Sequence, residues 1–202
     1  MIANPINEKT IVWWDLDNCS MPQIINVDEI ILGILSKLQR ISITGEIQMH
    51  IYGNMTTNLQ AQLHYRTIFF QHVVTGWQGQ GRDKCDKVLL LNLYKWVLDN
   101  PPPANIVLLS GEIDFSFSLH SLRNLRYFIV LINPIQTSRS LCAGADRLLS
   151  WNNIITDCMK NVVNVGRNPP LELSRSISTR PRGFNPSTCL LGSGLLSHSH
   201  HS

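Results

Sequence analysis

Five short apolar runs punctuate the first two-thirds of the chain: IVWWDL at 11–16, EIQMHIY at 46–52, TIFFQHVV at 67–74, NIVLLS at 105–110 and YFIVLIN at 127–133. Runs of this length, rich in β-branched and aromatic residues, predict strands. The central ones are apolar on both faces, which predicts burial from two sides. Between the runs the period changes. In VDEIILGILSKLQRI, Ile30, Ile31, Ile34, Leu35 and Leu38 recur at helical spacing, with Asn26 as cap and Glu29 completing a capping box. A short helix is expected over 58–65. A longer one is expected over 83–98, carried by Val88, Leu89, Leu91, Leu93, Tyr94 and Val97 and stopped by the prolines at 101–103. Helices over 115–125 and 138–143 follow, and LLSW suggests an edge strand.

Strands alternating with helices predict an α/β fold: a three-layer α/β/α sandwich around a central, mostly parallel sheet. In such folds ligands bind beyond the carboxyl ends of the strands, where strand order reverses. The periodic pattern covers residues 9–155, taken as one domain. Residues 156–202 are expected to form a basic, low-complexity tail. The composition shifts most sharply after Gly166, where NPPLELSRSISTRPRGFNPST lacks apolar periodicity.

Charge sharpens this division. Residues 1–159 carry 12 Lys or Arg against 13 Asp or Glu, while residues 160–202 carry 5 against 1. The basic end suits either a solvated tail or a phosphate contact. The five cysteines form no CxxC pair and no zinc spacing with histidine, so reduced thiols are expected rather than a disulfide framework. MIANPINEKT shows no charged-then-apolar leader, and no apolar run approaches the ~20 residues of a membrane span. An intracellular protein without membrane insertion is expected, cytoplasmic or nuclear.

The acids add chemistry to this frame. Asp15 and Asp17 straddle the end of the first strand, and Glu112 and Asp114 follow the fourth. Asp83 and Asp86 share a face at the start of the long helix. Each alone suits helix capping or solvation. Together they place several carboxylates on one rim, where repulsion favours a hard divalent cation. Asn18 either caps the turn or holds a water or phosphate oxygen. Ser110 either supports Asp114 or a phosphate, or stabilises a local turn. Arg82, Lys84 and Lys87 lie beside the acidic helix start and suit phosphate backbone contacts or plain solvation. Trp77, in the loop TGWQGQGR, is a candidate for stacking on a base. Trp13 and Trp14 read as core.

The segments WWDLDNCSMP, GRDKCDKVLLLNLYKW and NIVLLSGEIDFSFSLHSLRNLRYFIVLI together resemble the NYN domain of the PIN-like nuclease superfamily, in the branch of meiosis regulator and mRNA stability factor (limkain-type) proteins. The resemblance spans roughly Lys9 to Ile155. It implies a metal-dependent ribonuclease, by family habit an endoribonuclease, acting in RNA turnover or regulation of gene expression. It further implies Mg²⁺ or Mn²⁺ as cofactor and single-stranded or structured RNA as partner, with a homodimer or recruiting protein as a further partner class. By this resemblance Asp15, Asn18, Asp86, Glu112 and Asp114 are catalytic. Asp15, Asp86, Glu112 and Asp114 hold the metal, assisted by Asp17. Ser110, Arg82, Lys84, Lys87 and Trp77, singled out above from their positions alone, are the candidates to meet the substrate of such an enzyme. Glu112 departs from the family's usual aspartate, which bears on the strength of metal binding. The family likeness also admits a peroxisomal location. Two other readings stand beside it: a weakly active or inactive RNA-binding domain, and a haloacid-dehalogenase-like phosphatase using Asp15 as nucleophile and Asp17 as acid/base.

Overall fold

The computed structural model describes residues 7–53, 72–74 and 82–167, with the backbone alone at 72–74, 82–85 and 161–167. The helix expected over 58–65, Trp77, the first part of the third predicted strand and the chain past Arg167 lie outside the described residues. The strands are β1 (Thr10–Asp15), β2 (Ile47–Tyr52), β3 (His72–Val74), β4 (Asn105–Leu109), β5 (Phe128–Asn133) and β6 (Arg147–Ser150). The α-helices are α1 (Val27–Arg40), α2 (Arg82–Asp99), α3 (Ser116–Asn124), α4 (Arg139–Ala143) and α5 (Trp151–Arg167). A 3₁₀ turn over Ile113–Phe115 leads into α3.

The strands form one sheet in the order β3-β2-β1-β4-β5-β6, and every pairing is parallel. The chain adds β2 and β3 on one side of β1, then crosses back to start β4 on the other. The reversal lies between β1 and β4, so a ligand site is expected where these two strands end. All six residues of β1 and all five of β4 are buried, as expected for strands covered on both faces.

Side chains alternate across the sheet. Val12, Trp14 and Leu16 pack with Ile30, Ile34 and Leu38 of α1 and Ile154 and Cys158 of α5. Ile11 and Trp13 face Leu89 and Leu93 of α2 together with Phe115, Leu119 and Leu122 around α3. The result is the α/β/α layering. The capping box at the start of α1 is present: Asn26 Oδ1 accepts from the Asp28 amide at 3.0 Å and Glu29 Oε2 from the Asn26 amide at 3.4 Å.

The last helix departs from the sequence reading. The edge strand expected at LLSW is β6, but it stops at Ser150: Trp151 begins α5, and that helix runs to Arg167, well past Ile155. Ile154 and Cys158, four residues apart, are buried against α1. Asn and β-branched residues lower helix propensity through WNNIITDCMKNVVNV, so the packing stripe rather than propensity carries the helix. Among the described residues no helix is long and apolar enough to cross a membrane. Cys19, Cys142 and Cys158 are free thiols.

Candidate functional site

Asp15 ends β1 on the side that faces α2 and α3, and it is 1% exposed. A carboxylate there requires hydrogen bonds, and the turn that follows supplies them. Asp15 Oδ1 accepts from the backbone amides of Asp17 at 3.0 Å and Asn18 at 3.4 Å. Oδ2 accepts from Asn18 Nδ2 and from Ser110 Oγ, both at 2.7 Å. These four donors match the acceptor capacity of a carboxylate. Burial raises the Asp15 pKa, and the bonds from Ser110, Asn18 and the two amides oppose that rise.

The turn itself is anchored at several points. The Leu16 amide donates to Tyr52 O and the Cys19 amide to Asp15 O, both at 2.8 Å. Trp14 Nε1 donates to Cys19 O at 2.8 Å, so a core residue also fixes the far end of the turn. Gly53, at φ +124°, leaves no room for a side chain: a Cβ would stand 2.8 Å from Leu16 Cβ and 3.3 Å from the Asp17 amide nitrogen. Its left-handed backbone suits glycine alone. Tyr52, paired in register with Asp15, stacks on Trp13 with ring centroids 5.6 Å apart. Neither Tyr52 nor Gly53 stands out in the sequence as a site residue. A glycine just after a predicted strand end is the one signal that could have marked the second.

Ser110 links the two central strands. Fully buried at the end of β4, it donates to Asp15 and accepts from the Glu112 amide at 3.1 Å. It thus supports Asp15 rather than Asp114. Glu112 is half-buried, Asp114 and Asp17 are exposed, and Asn18 is half-buried. Neither acid after β4 caps a helix: Glu112 precedes the 3₁₀ turn without a side-chain cap bond, and the cap position of α3 is Phe115. The capping explanation for Asp114 therefore does not apply.

Asp86 lies one turn into α2, on the same helical stripe as the buried Leu89 and Leu93, and is half-buried. Burial first, then the charges of Asp15, Glu112, Asp114 and Asp17, push its carboxyl up to about 6. Five acids from three separate chain segments thus share one electrostatic neighbourhood. Among the described residues, no three Asp, Glu, His or Cys side chains already stand at cation-holding distance. Arg82, Asp83 and Lys84 lie in the first turn of α2, where the backbone alone is described, and Lys87 is exposed one position after Asp86.

The raised Asp86 has a measurable consequence. An unfolded aspartate titrates near 3.8 and the folded one near 6, so between these values the folded state binds more protons. Stability present below about pH 4 is therefore lost as pH rises to about 6. Asp86→Asn should stabilise the protein above pH 6 by about 1 kcal/mol, the shift being discounted for a half-exposed group. Urea unfolding with EDTA present, at pH steps from 4 to 7.5, tests this. A difference from wild type that does not grow with pH would refute it.

The model of the NYN domain family matches residues 9–155. The chain belongs to the NYN domain family. The match covers the whole sheet, and it places the chain in the PIN-like nuclease superfamily. This NYN domain is 24% identical over 148 residues to the meiosis regulator and mRNA stability factor 1 proteins of Mus musculus and Bos taurus. Those matches cover 72% of this chain but only 8% of each relative, so the chain spans a small part of their length. A Vibrio parahaemolyticus protein of unknown function shares the fold, with a TM-score of 0.51 at 17% identity, over 71% of this chain and 93% of that one.

Proposed function

We propose that this NYN domain is a metal-dependent ribonuclease that hydrolyses RNA phosphodiester bonds, of the kind found in the branch of meiosis regulator and mRNA stability factor 1. One observation carries the reading: at the strand-order reversal the half-buried Asp86, already raised by burial, is pushed further, to about 6, by the charges of Asp15, Glu112, Asp114 and Asp17. An acid cluster left uncompensated costs stability, and a cation offsets that cost.

The donor set fits Mg²⁺ or Mn²⁺. It consists of carboxylate oxygens, the hard ligands both ions take. Asp15, Asp86, Glu112 and Asp114 would hold the ion, with Asp17 beside them. When bound, such a cation supplies an activated water and neutralises charge on the phosphate. Asp15 already carries four donors, so as a ligand it would give up one of them. The Asn18 amide is the exchangeable donor, because the backbone amides are fixed by the turn and Ser110 is buried. Asn18, so released, would hold a water or a phosphate oxygen. Lys87, with Arg82 and Lys84 from the same helix start, supplies positive charge for the RNA backbone.

The phosphatase alternative is disfavoured. The family match over residues 9–155 is to the NYN domain, and it takes in every strand of the sheet. The test incubates the full chain with end-labelled single-stranded RNA, hairpin RNA and DNA, with Mn²⁺, Mg²⁺ or EDTA. RNA cleavage that requires the metal is expected. Tight RNA binding without cleavage in either metal would replace the enzyme by an RNA-binding domain. Turnover of a chromogenic phosphomonoester alone would restore the phosphatase.

A further inference from the structure

Phe117 is 78% exposed in the first turn of α3, and its ring belongs to neither side of the core. The inward face of this segment is already filled by Phe115, Leu119 and Leu122. Asp114, in the 3₁₀ turn, precedes Phe117, in the first turn of α3, by three residues, a spacing that puts neighbours on one helical face. Phe117 and Asp114 therefore project on one side. Ile113, 51% exposed, widens the apolar step beside them. Tyr94 Oη and Ser118 Oγ, 3.0 Å apart, hold α2 against α3 at the residue after Phe117. Isolated exposed apolar residues are ordinary on protein surfaces. An aromatic ring rising from the rim of an acid cluster is a different matter, because the charges around it limit what can cover it.

We propose that Phe117 is a stacking platform for an unpaired base of the strand whose phosphate enters the carboxylate rim. This rests on the ribonuclease reading and deepens it, because it makes the substrate single-stranded at that point. The rim repels the RNA backbone wherever no cation intervenes, so affinity there must come from an uncharged part of the nucleotide. A base offers its π face, and an exposed phenylalanine ring accepts any base without reading its edge. A base inside a duplex has both faces occupied by its neighbours and cannot use the ring. A protein partner fits less well, since charged groups are depleted from the centres of protein interfaces and Asp114 stands beside the ring.

The test separates the ring from the chemistry. The full chain is titrated in EDTA into a fluorescein-labelled single-stranded RNA carrying 2-aminopurine, and into a blunt duplex of the same sequence. Phe117→Ala should weaken single-strand binding about tenfold or more and abolish the 2-aminopurine quenching, the scale of one lost base stack. Phe117→Trp should retain both, which excludes misfolding as the cause, and duplex binding should be the same for all three proteins. Equal single-strand affinity for wild type and Phe117→Ala would overturn the stack, even if Mn²⁺-dependent cleavage is present. Unchanged RNA affinity with an altered sedimentation coefficient would assign the ring to protein contact and overturn it likewise. Ring-dependent binding with no cleavage in Mn²⁺ would uphold the stack while removing the nuclease reading.

Discussion

Asp15→Asn should lower metal-dependent RNA cleavage about a hundredfold or more, the scale on which single charge-stabilising groups act, while leaving the sheet folded. The hydrogen bonds explain why the fold survives. An asparagine amide cannot face the backbone amides of Asp17 and Asn18, because two donors would meet there. It must instead turn its NH₂ towards Ser110 and Asn18. The Ser110 hydroxyl can rotate to accept and the Asn18 amide can flip, at a cost of about 1 kcal/mol. What cannot be replaced is the charge. Asp15 is the first of the four acids that raise Asp86, so its loss should bring the Asp86 carboxyl down from about 6. Carboxyl-detected NMR titration of both proteins reads that change, and a cleavage assay reads the other. Undiminished cleavage by the variant would remove Asp15 from the reaction. A static Asp86 would break the electrostatic link between β1 and α2.

Trp14→Ala should cost about 3–5 kcal/mol of unfolding free energy, the usual range for an emptied aromatic site. Trp14 is fully buried, its ring meets Trp151 edge-on at 5.4 Å, and its indole N–H holds Cys19 O. The substitution therefore empties the α1/α5 side of the core and frees the end of the Asp15 turn at once. Against a typical domain stability of roughly 5–15 kcal/mol, a loss of that size leaves little folded protein on warming. Trp14→Phe, which keeps most of the volume and drops the hydrogen bond, should cost less and still loosen the turn. Urea unfolding monitored by circular dichroism decides between them. A Trp14→Ala loss below 1 kcal/mol would mean that the cavity collapses and the turn holds itself.

The strands were legible because burial on both faces leaves a dense apolar signature that needs no tertiary information. The capping box at Asn26 and Glu29 is legible for a similar reason, being a local hydrogen-bond pattern. The acids on the rim could be anticipated from their places at strand ends and at a helix start. Other features depend on partners far away in sequence. Ser110 reads as a turn residue until Asp15, 95 positions earlier, takes its proton bond. Gly53 is meaningful only because Leu16 and Asp17 pass within contact of it. The helix past Ile155 hid behind asparagines and β-branched residues, since its stability comes from α1 and not from its own propensity.

The junction between β1 and β4 brings this dependence into the order of folding. Five register pairs join strands that lie some ninety residues apart, with Asn105 Nδ2 on Thr10 Oγ1 at one end and Ser110 Oγ on Asp15 Oδ2 at the other. As the chain leaves the ribosome, Asp15 emerges with its own turn but without Ser110, Glu112 or Asp114. The acids are brought face to face only when β4 docks, so their repulsion falls on one late, long-range closure. A cation held at the rim during synthesis would ease that closure, so the proposed ion would act in the protein's maturation as well as in its chemistry.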